Sequence, residues 1–154
     1  MNPTIVALFV STANRVPLTP KESVQALENR GIDGDRHAKP GSKRAVLIMP
    51  AEILDQFGLA PGDVREQVTI RGLDIHALPD GARLHAGTAV MELLGPCAPC
   101  ERMEELKPGL QLALEGRRGR FARVVTPGTF AVGDTLAVAP AAAPGHPVSA
   151  KPPA

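Results

Sequence analysis

No apolar run in this chain extends far enough to make more than a short strand or a two-turn helix before a glycine or proline interrupts it. The runs Ile5 to Val10, Arg44 to Met49, Val64 to Ile70, Arg83 to His85, Ala89 to Leu94, Phe121 to Val125 and Thr135 to Val138 are rich in β-branched and aliphatic residues. Turn signals separate them, at Pro17-Leu-Thr-Pro20, Gly72, Pro79-Asp-Gly81, Gly87, Pro127-Gly128 and Gly133-Asp134. Short strands at close spacing predict a mostly β fold, a barrel or sandwich carrying a few short helices. One helix has both its signals: Pro50 opens it, Ile53, Leu54 and Phe57 share a face, and Gly58 follows. Val24 to Asn29 fits strand or helix equally. Crossover helices are too few for a parallel α/β sheet.

The length of 154 residues fits one domain, expected over 1–139. Residues 140–154 are biased to Ala and Pro with almost no large apolar side chain, which predicts a disordered tail. A formal net charge of +1 supplies no global field toward nucleic acid or an anionic membrane. Four Phe without Trp or Tyr leave little on which bases could stack. The Ile5 to Val10 run is too short to span a bilayer and lacks the basic flank of a signal peptide, so a cytoplasmic location with free thiols is expected. The sequence carries no reading of the oligomeric state.

The chain has two cysteines, Cys97 and Cys100, set in Gly95-Pro-Cys-Ala-Pro-Cys-Glu-Arg102. Two cysteines can be plain packing residues, but a core role does not require two thiols three apart in a Pro-rich turn, and half of a zinc site or a redox pair are the alternatives. Zinc would need further ligands, and His37, His76, His85 and His146 lack paired spacing. A thioredoxin-like motif would need a βαβ context that the flanking short strands do not offer. Two loops exceed what a turn requires. Gly31-Ile-Asp-Gly-Asp-Arg-His37, followed by Lys43 and Arg44, is dense in charge yet matches neither nucleotide-binding glycine motif. Gly116-Arg-Arg-Gly-Arg120 reads either as a solvated basic turn or as a guanidinium clamp for phosphate or carboxylate.

Taken in order, Gly31 to His37, Val64-Arg-Glu-Gln-Val-Thr-Ile-Arg-Gly-Leu-Asp74, Leu78-Pro-Asp-Gly81 with Gly87, Pro96-Cys-Ala-Pro-Cys100, Gly116 to Gly119 and Pro127-Gly-Thr-Phe-Ala-Val-Gly-Asp134 resemble the MOSC domain. That family is named for the C-terminal domain of molybdenum cofactor sulfurases. The resemblance implies a β-barrel-like fold and the molybdenum cofactor (molybdopterin), a pterin dithiolene phosphate. It implies Cys100 as molybdenum ligand and catalytic residue. Cys97, Arg117, Arg118, Lys43, Arg44 and His37 are the further residues expected to hold the cofactor. The sulfurases' pyridoxal phosphate domain has no counterpart here, so that cofactor is not expected on this chain. Two functions follow as expectations: a reductase of N-hydroxylated compounds fed by an external electron donor protein, or a carrier of sulfur or cofactor through a Cys persulfide loaded by a sulfur donor. A non-catalytic binding module with a structural thiol pair is the third.

Overall fold

Every residue of the central strand, Val46–Pro50, is buried, and the architecture grows outward from it. The computed structural model describes residues 2–141, so the expected tail at 140–154 falls almost wholly outside the described residues. In chain order the elements are β1 (Thr4–Val10), β2 (Thr19–Lys21), β3 (Ser23–Leu27), β4 (Gly31–Ile32), β5 (Val46–Pro50), α1 (Ala51–Gln56), β6 (Val68–Arg71), β7 (Arg83–Ala86), β8 (Ala89–Pro96), α2 (Arg102–Leu106), α3 (Leu110–Ala113), β9 (Arg120–Thr126), β10 (Gly128–Ala131) and β11 (Leu136–Ala139). An eight-stranded sheet runs β11-β7-β8-β9-β5-β6-β1-β2, and a three-stranded sheet runs β10-β3-β4. Among the described residues only β5 and β6, joined across α1, pair in parallel, and β5 is buried along its whole length while β9 on its other side largely alternates.

The fold is mostly β as expected, but the barrel is not closed. β2 occupies the outer edge of β1 at Leu8 to Val10, and β11 reaches only the start of that edge, through a single Thr4–Thr135 bridge. With β2 on one half of that edge and only the residues just ahead of β11 bonded to the other, no continuous ladder joins β11 to β1, so the eight-stranded sheet keeps two ends.

Three local readings change. Pro20, read as a break, sits in the edge strand β2, where its missing N–H faces no partner. Gly128, read with Pro127 as a turn, begins β10, which pairs with β3, so that Pro127 alone separates β9 from β10. Val64 to Gln67 forms a turn ahead of β6, with Arg65 at φ 66 and with Glu66 and Gln67 buried. Apolar neighbours make such a segment look like strand. Its side chains are instead pinned by polar contacts: Gln67 accepts the Leu47 N–H at 2.7 Å and Glu66 accepts the Thr69 hydroxyl at 2.7 Å.

The main core lies between the sheets, with Ile5, Leu8, Ile32, Ile48, Ile70, Leu84, Met91, Leu93 and Phe130 almost fully enclosed. A smaller cluster of Met49, Leu54, Val64, Met103, Leu110 and Leu114 seats the three helices beside β5. No described helix is long and apolar enough to cross a membrane.

Candidate functional site

Both cysteines sit immediately after β8, where its pairing with β9 shifts register between Leu93 and Pro96. That irregularity turns the chain out of the sheet. The Cys97 N–H donates to the Gly119 carbonyl at 2.9 Å, tying the thiol loop to the turn before β9. Gly119 holds φ 102, and a Cβ there would stand 2.7 Å from the Ile48 carbonyl oxygen, so this close approach requires glycine. Cys97 is buried and Cys100 exposed.

The two thiols line one cleft of about 240 Å³ with His37, Arg44 and Arg118. Arg36, Arg65 and Arg102 complete a wall of five guanidinium groups, and Leu47, Gln67, Ala98 and Phe121 fill the remainder. Of the residues expected from the sequence, this cleft therefore gathers Cys97, Cys100, His37, Arg44 and Arg118. Lys43 is exposed and is not among its lining residues. Arg117 faces a different cavity, stacked on Phe57 at 5.2 Å and donating to the Gln56 side chain at 3.0 Å.

The three arginines of the basic turn have three different settings. Arg120 is buried and fully engaged, donating to the Leu94, Ile75 and Leu78 carbonyls and to Asp80. Arg118 is 5% exposed and donates from one Nη to the Val64 carbonyl at 2.7 Å. Its Nε and other Nη are buried without a partner. Buried donors are nearly always paired, so two vacant donor nitrogens on a cation in a cleft mark a place for an acceptor. Arg44 stacks on Phe121 at 5.1 Å, which holds its charge at the rim.

The charge-dense loop after β4 is organised by Asp35, whose buried carboxylate accepts the Ser11 N–H at 2.6 Å, the His37 N–H at 3.0 Å and the His37 imidazole at 3.2 Å. Burial alone would raise its pKa, but these hydrogen bonds, that from the His37 side chain first, hold it below the usual value. The ring of His37 is thus oriented from behind, Nδ1 toward Asp35. The Ser11 hydroxyl in turn accepts from Arg36 and Arg65, each at 3.2 Å. Burial, followed by repulsion from Arg102 and Arg36, lowers the pKa of Arg65. Three cations crowded so closely are a standing preference for an anion. Burial raises the pKa of the Cys97 thiol, with Arg118 and Arg44 pulling against it.

Arg36 belongs to the charge-dense Gly31 to His37 loop already noted in the sequence, whereas Arg65 and Arg102 are functional candidates that the sequence does not single out. The three come from separate segments, and no local spacing connects them. The positive φ of Arg65, a strained position for a non-glycine residue, has no sequence signal either.

Fold and cleft together define a mostly β domain that presents one buried and one exposed thiol to a cationic recess. The MOSC domain profile matches residues 16–137, and the chain belongs to that family. MOSC domains are associated with the molybdenum cofactor. Among solved structures, the YuaD protein from Bacillus subtilis is similar over 90% of this chain and 96% of its own, with a TM-score of 0.75 and 20% identity. YiiM from Geobacillus stearothermophilus is similar over 89% of this chain and 75% of its own, with a TM-score of 0.70 and 22% identity. YiiM from Escherichia coli gives a TM-score of 0.66 at 18% identity, over 90% of this chain and 70% of its own. At these identities the likeness speaks for the fold. No curated protein matches the chain.

Proposed function

We propose that the thiol cleft binds the molybdenum cofactor and that the loaded protein reduces N-hydroxylated compounds with electrons from an external donor protein. The observation that carries this reading is Arg118, a nearly buried cation with two vacant donor nitrogens in the same cleft as both cysteines. The donor set fits the group. An exposed thiolate is a soft ligand suited to molybdenum, and the surrounding guanidinium groups suit an anionic pterin phosphate. Among the described residues no three His, Cys, Asp or Glu side chains cluster to hold a bare ion, so a metal here would come with ligands of its own.

In this reading Cys100 supplies the protein's thiolate, and Arg118 with Arg44, Arg36, Arg65 and Arg102 holds the anionic part. When bound, the cofactor supplies a centre that exchanges electrons and accepts oxygen. The chain's own contribution is binding and proton handling. His37, its Nδ1 turned to Asp35, leaves Nε2 as the ring atom available to give or take a proton at the cleft. Phe121 and Leu47 give the recess its apolar wall.

A carrier role is the second reading, favoured by the contrast between an exposed Cys100 able to hold a persulfide sulfur and a buried Cys97 beside it to resolve it. The test is molybdenum and pterin analysis of protein expressed in a host that makes the cofactor, then assay with hydroxylamine and an N-hydroxylated base, with persulfide labelling alongside. Bound cofactor with turnover supports the reductase. Bound cofactor or persulfide without turnover supports the carrier, and neither cofactor nor persulfide overturns both.

A further inference from the structure

Arg117 and Arg118 are neighbours in sequence but open onto different cavities. The cavity beside Arg117 is the roomier, about 460 Å³ against 240 Å³, and the proposed function makes no use of it. Ile53 and Leu73 give it an aliphatic wall, while Glu52, Asp74, His76 and Arg117 bring polar groups to it. Each carboxylate commits one oxygen to the protein, Glu52 accepting the Gly72 N–H at 2.7 Å and Asp74 the His76 N–H at 3.2 Å. The other oxygen of each accepts no hydrogen bond from the described residues. Arg117 uses two of its N–H groups, toward Gln56 and the Ala113 carbonyl, and keeps others. Free anionic acceptors, a guanidinium with donors to spare and an aliphatic wall together suit a small zwitterion with an apolar side group.

This cavity is also wired to the thiols. His76 Nε2 accepts the Gly119 N–H at 3.0 Å, which places the imidazole proton on Nδ1, and Nδ1 is buried without a partner. The carbonyl of the same Gly119 accepts the Cys97 N–H. One residue thus separates the histidine of one cavity from the buried cysteine of the other. A Cβ on Gly119 would stand 2.7 Å from the Ile48 carbonyl oxygen, so the residue that carries both hydrogen bonds lies close against β5. An acceptor arriving at Nδ1 gives His76 a reason to move, which is the differential contact that coupling requires.

We infer that this cavity is an effector site for an α-amino acid with an apolar side chain, and that its occupancy is passed through His76 and Gly119 to Cys97. The carboxylate meets Arg117 and the His76 Nδ1–H, the ammonium meets Glu52 and Asp74, and the side chain lies on Ile53 and Leu73. Binding does not depend on the molybdenum reading, and the test uses the full chain without cofactor, so the two can fail separately.

The experiment is an NMR titration with L-leucine, following the Gly119 and Cys97 amides, with the alkylation rate of Cys97 measured in a Cys100→Ser background. Saturable shifts with a dissociation constant below about 10 mM are expected, together with a change of at least about threefold in Cys97 alkylation at saturation. Leucine methyl ester and isovalerate, each lacking one charge, should bind at least about tenfold more weakly, as should leucine to the Glu52→Gln, Asp74→Asn double variant. Shifts that stay linear to about 50 mM overturn the site. Equal binding of the two half-ligands overturns its chemistry, and saturation without a change at Cys97 overturns the coupling.

Discussion

Replacing Arg118 with methionine should separate what this residue does for folding from what it does for binding. In the native chain the buried guanidinium makes one hydrogen bond, to the Val64 carbonyl, and leaves two donor nitrogens unpaired. Losing that bond costs about 1.5–3 kcal/mol, whereas each unpaired buried donor that disappears returns about 1–3 kcal/mol. Methionine has comparable length and fills the space without a charge. Glu66, whose carboxyl pKa burial already raises, can become neutral rather than remain an uncompensated anion once the guanidinium beside it is gone. The balance runs from a loss of about 1 kcal/mol to a gain of roughly 4 kcal/mol in cofactor-free protein, a melting temperature lowered by a few degrees at most or raised by up to about 15 °C. Retention of an anionic ligand should move the other way, by about tenfold or more for the loss of one charge-assisted anchor. Urea unfolding of cofactor-free protein beside molybdenum content after expression in a cofactor-making host measures both. A stability loss above about 2 kcal/mol would place Arg118 in the structural framework, and undiminished molybdenum would remove it from the binding site.

Three further outcomes are expected. Cys100→Ser should abolish molybdenum content and any molybdenum-dependent turnover with little change in the melt, while Cys97→Ser should only reduce them yet lower stability by about 1–3 kcal/mol, because its hydroxyl is buried; a larger metal defect in Cys97→Ser would transfer the ligand role to that thiol. Gly119→Ala should cost roughly 3 kcal/mol, combining a positive φ with a Cβ driven onto the Ile48 carbonyl, and a melt within about 2 °C of the native protein would contradict that geometry. Burial, with Arg120 and Arg117 adding to it, holds the pKa of His76 below its ordinary 6.5. The unfolded chain therefore takes up this proton first as pH falls, and stability should decline from about pH 6.5 downward by at most about 1.4 kcal/mol per unit. Urea unfolding at several pH values should show a flatter profile in His76→Gln, and an unchanged profile would refute the assignment.

Composition and spacing alone determined the fold class and most of its strands, because short β-branched runs between glycine and proline turns have few other ways to bury their apolar faces. They also brought the thiol pair and the basic turn to notice, since both are local in the chain. What needed the tertiary structure was non-local. Whether the sheet closes depends on which strand takes the edge of β1, and β2 takes it despite a proline that reads as a break. Arg117, Arg118 and Arg120 look equivalent in sequence, yet the turn that leads into β9, with Gly119 at φ 102, sends one onto Phe57, one into the thiol cleft and one into a cage of carbonyls. Arg36, Arg65 and Arg102 meet only because Ser11, the turn after Gly62 and the first turn of α2 converge in space. Local pattern records which face of an element is apolar. Which distant charges that packing forces together is decided only when the elements pack.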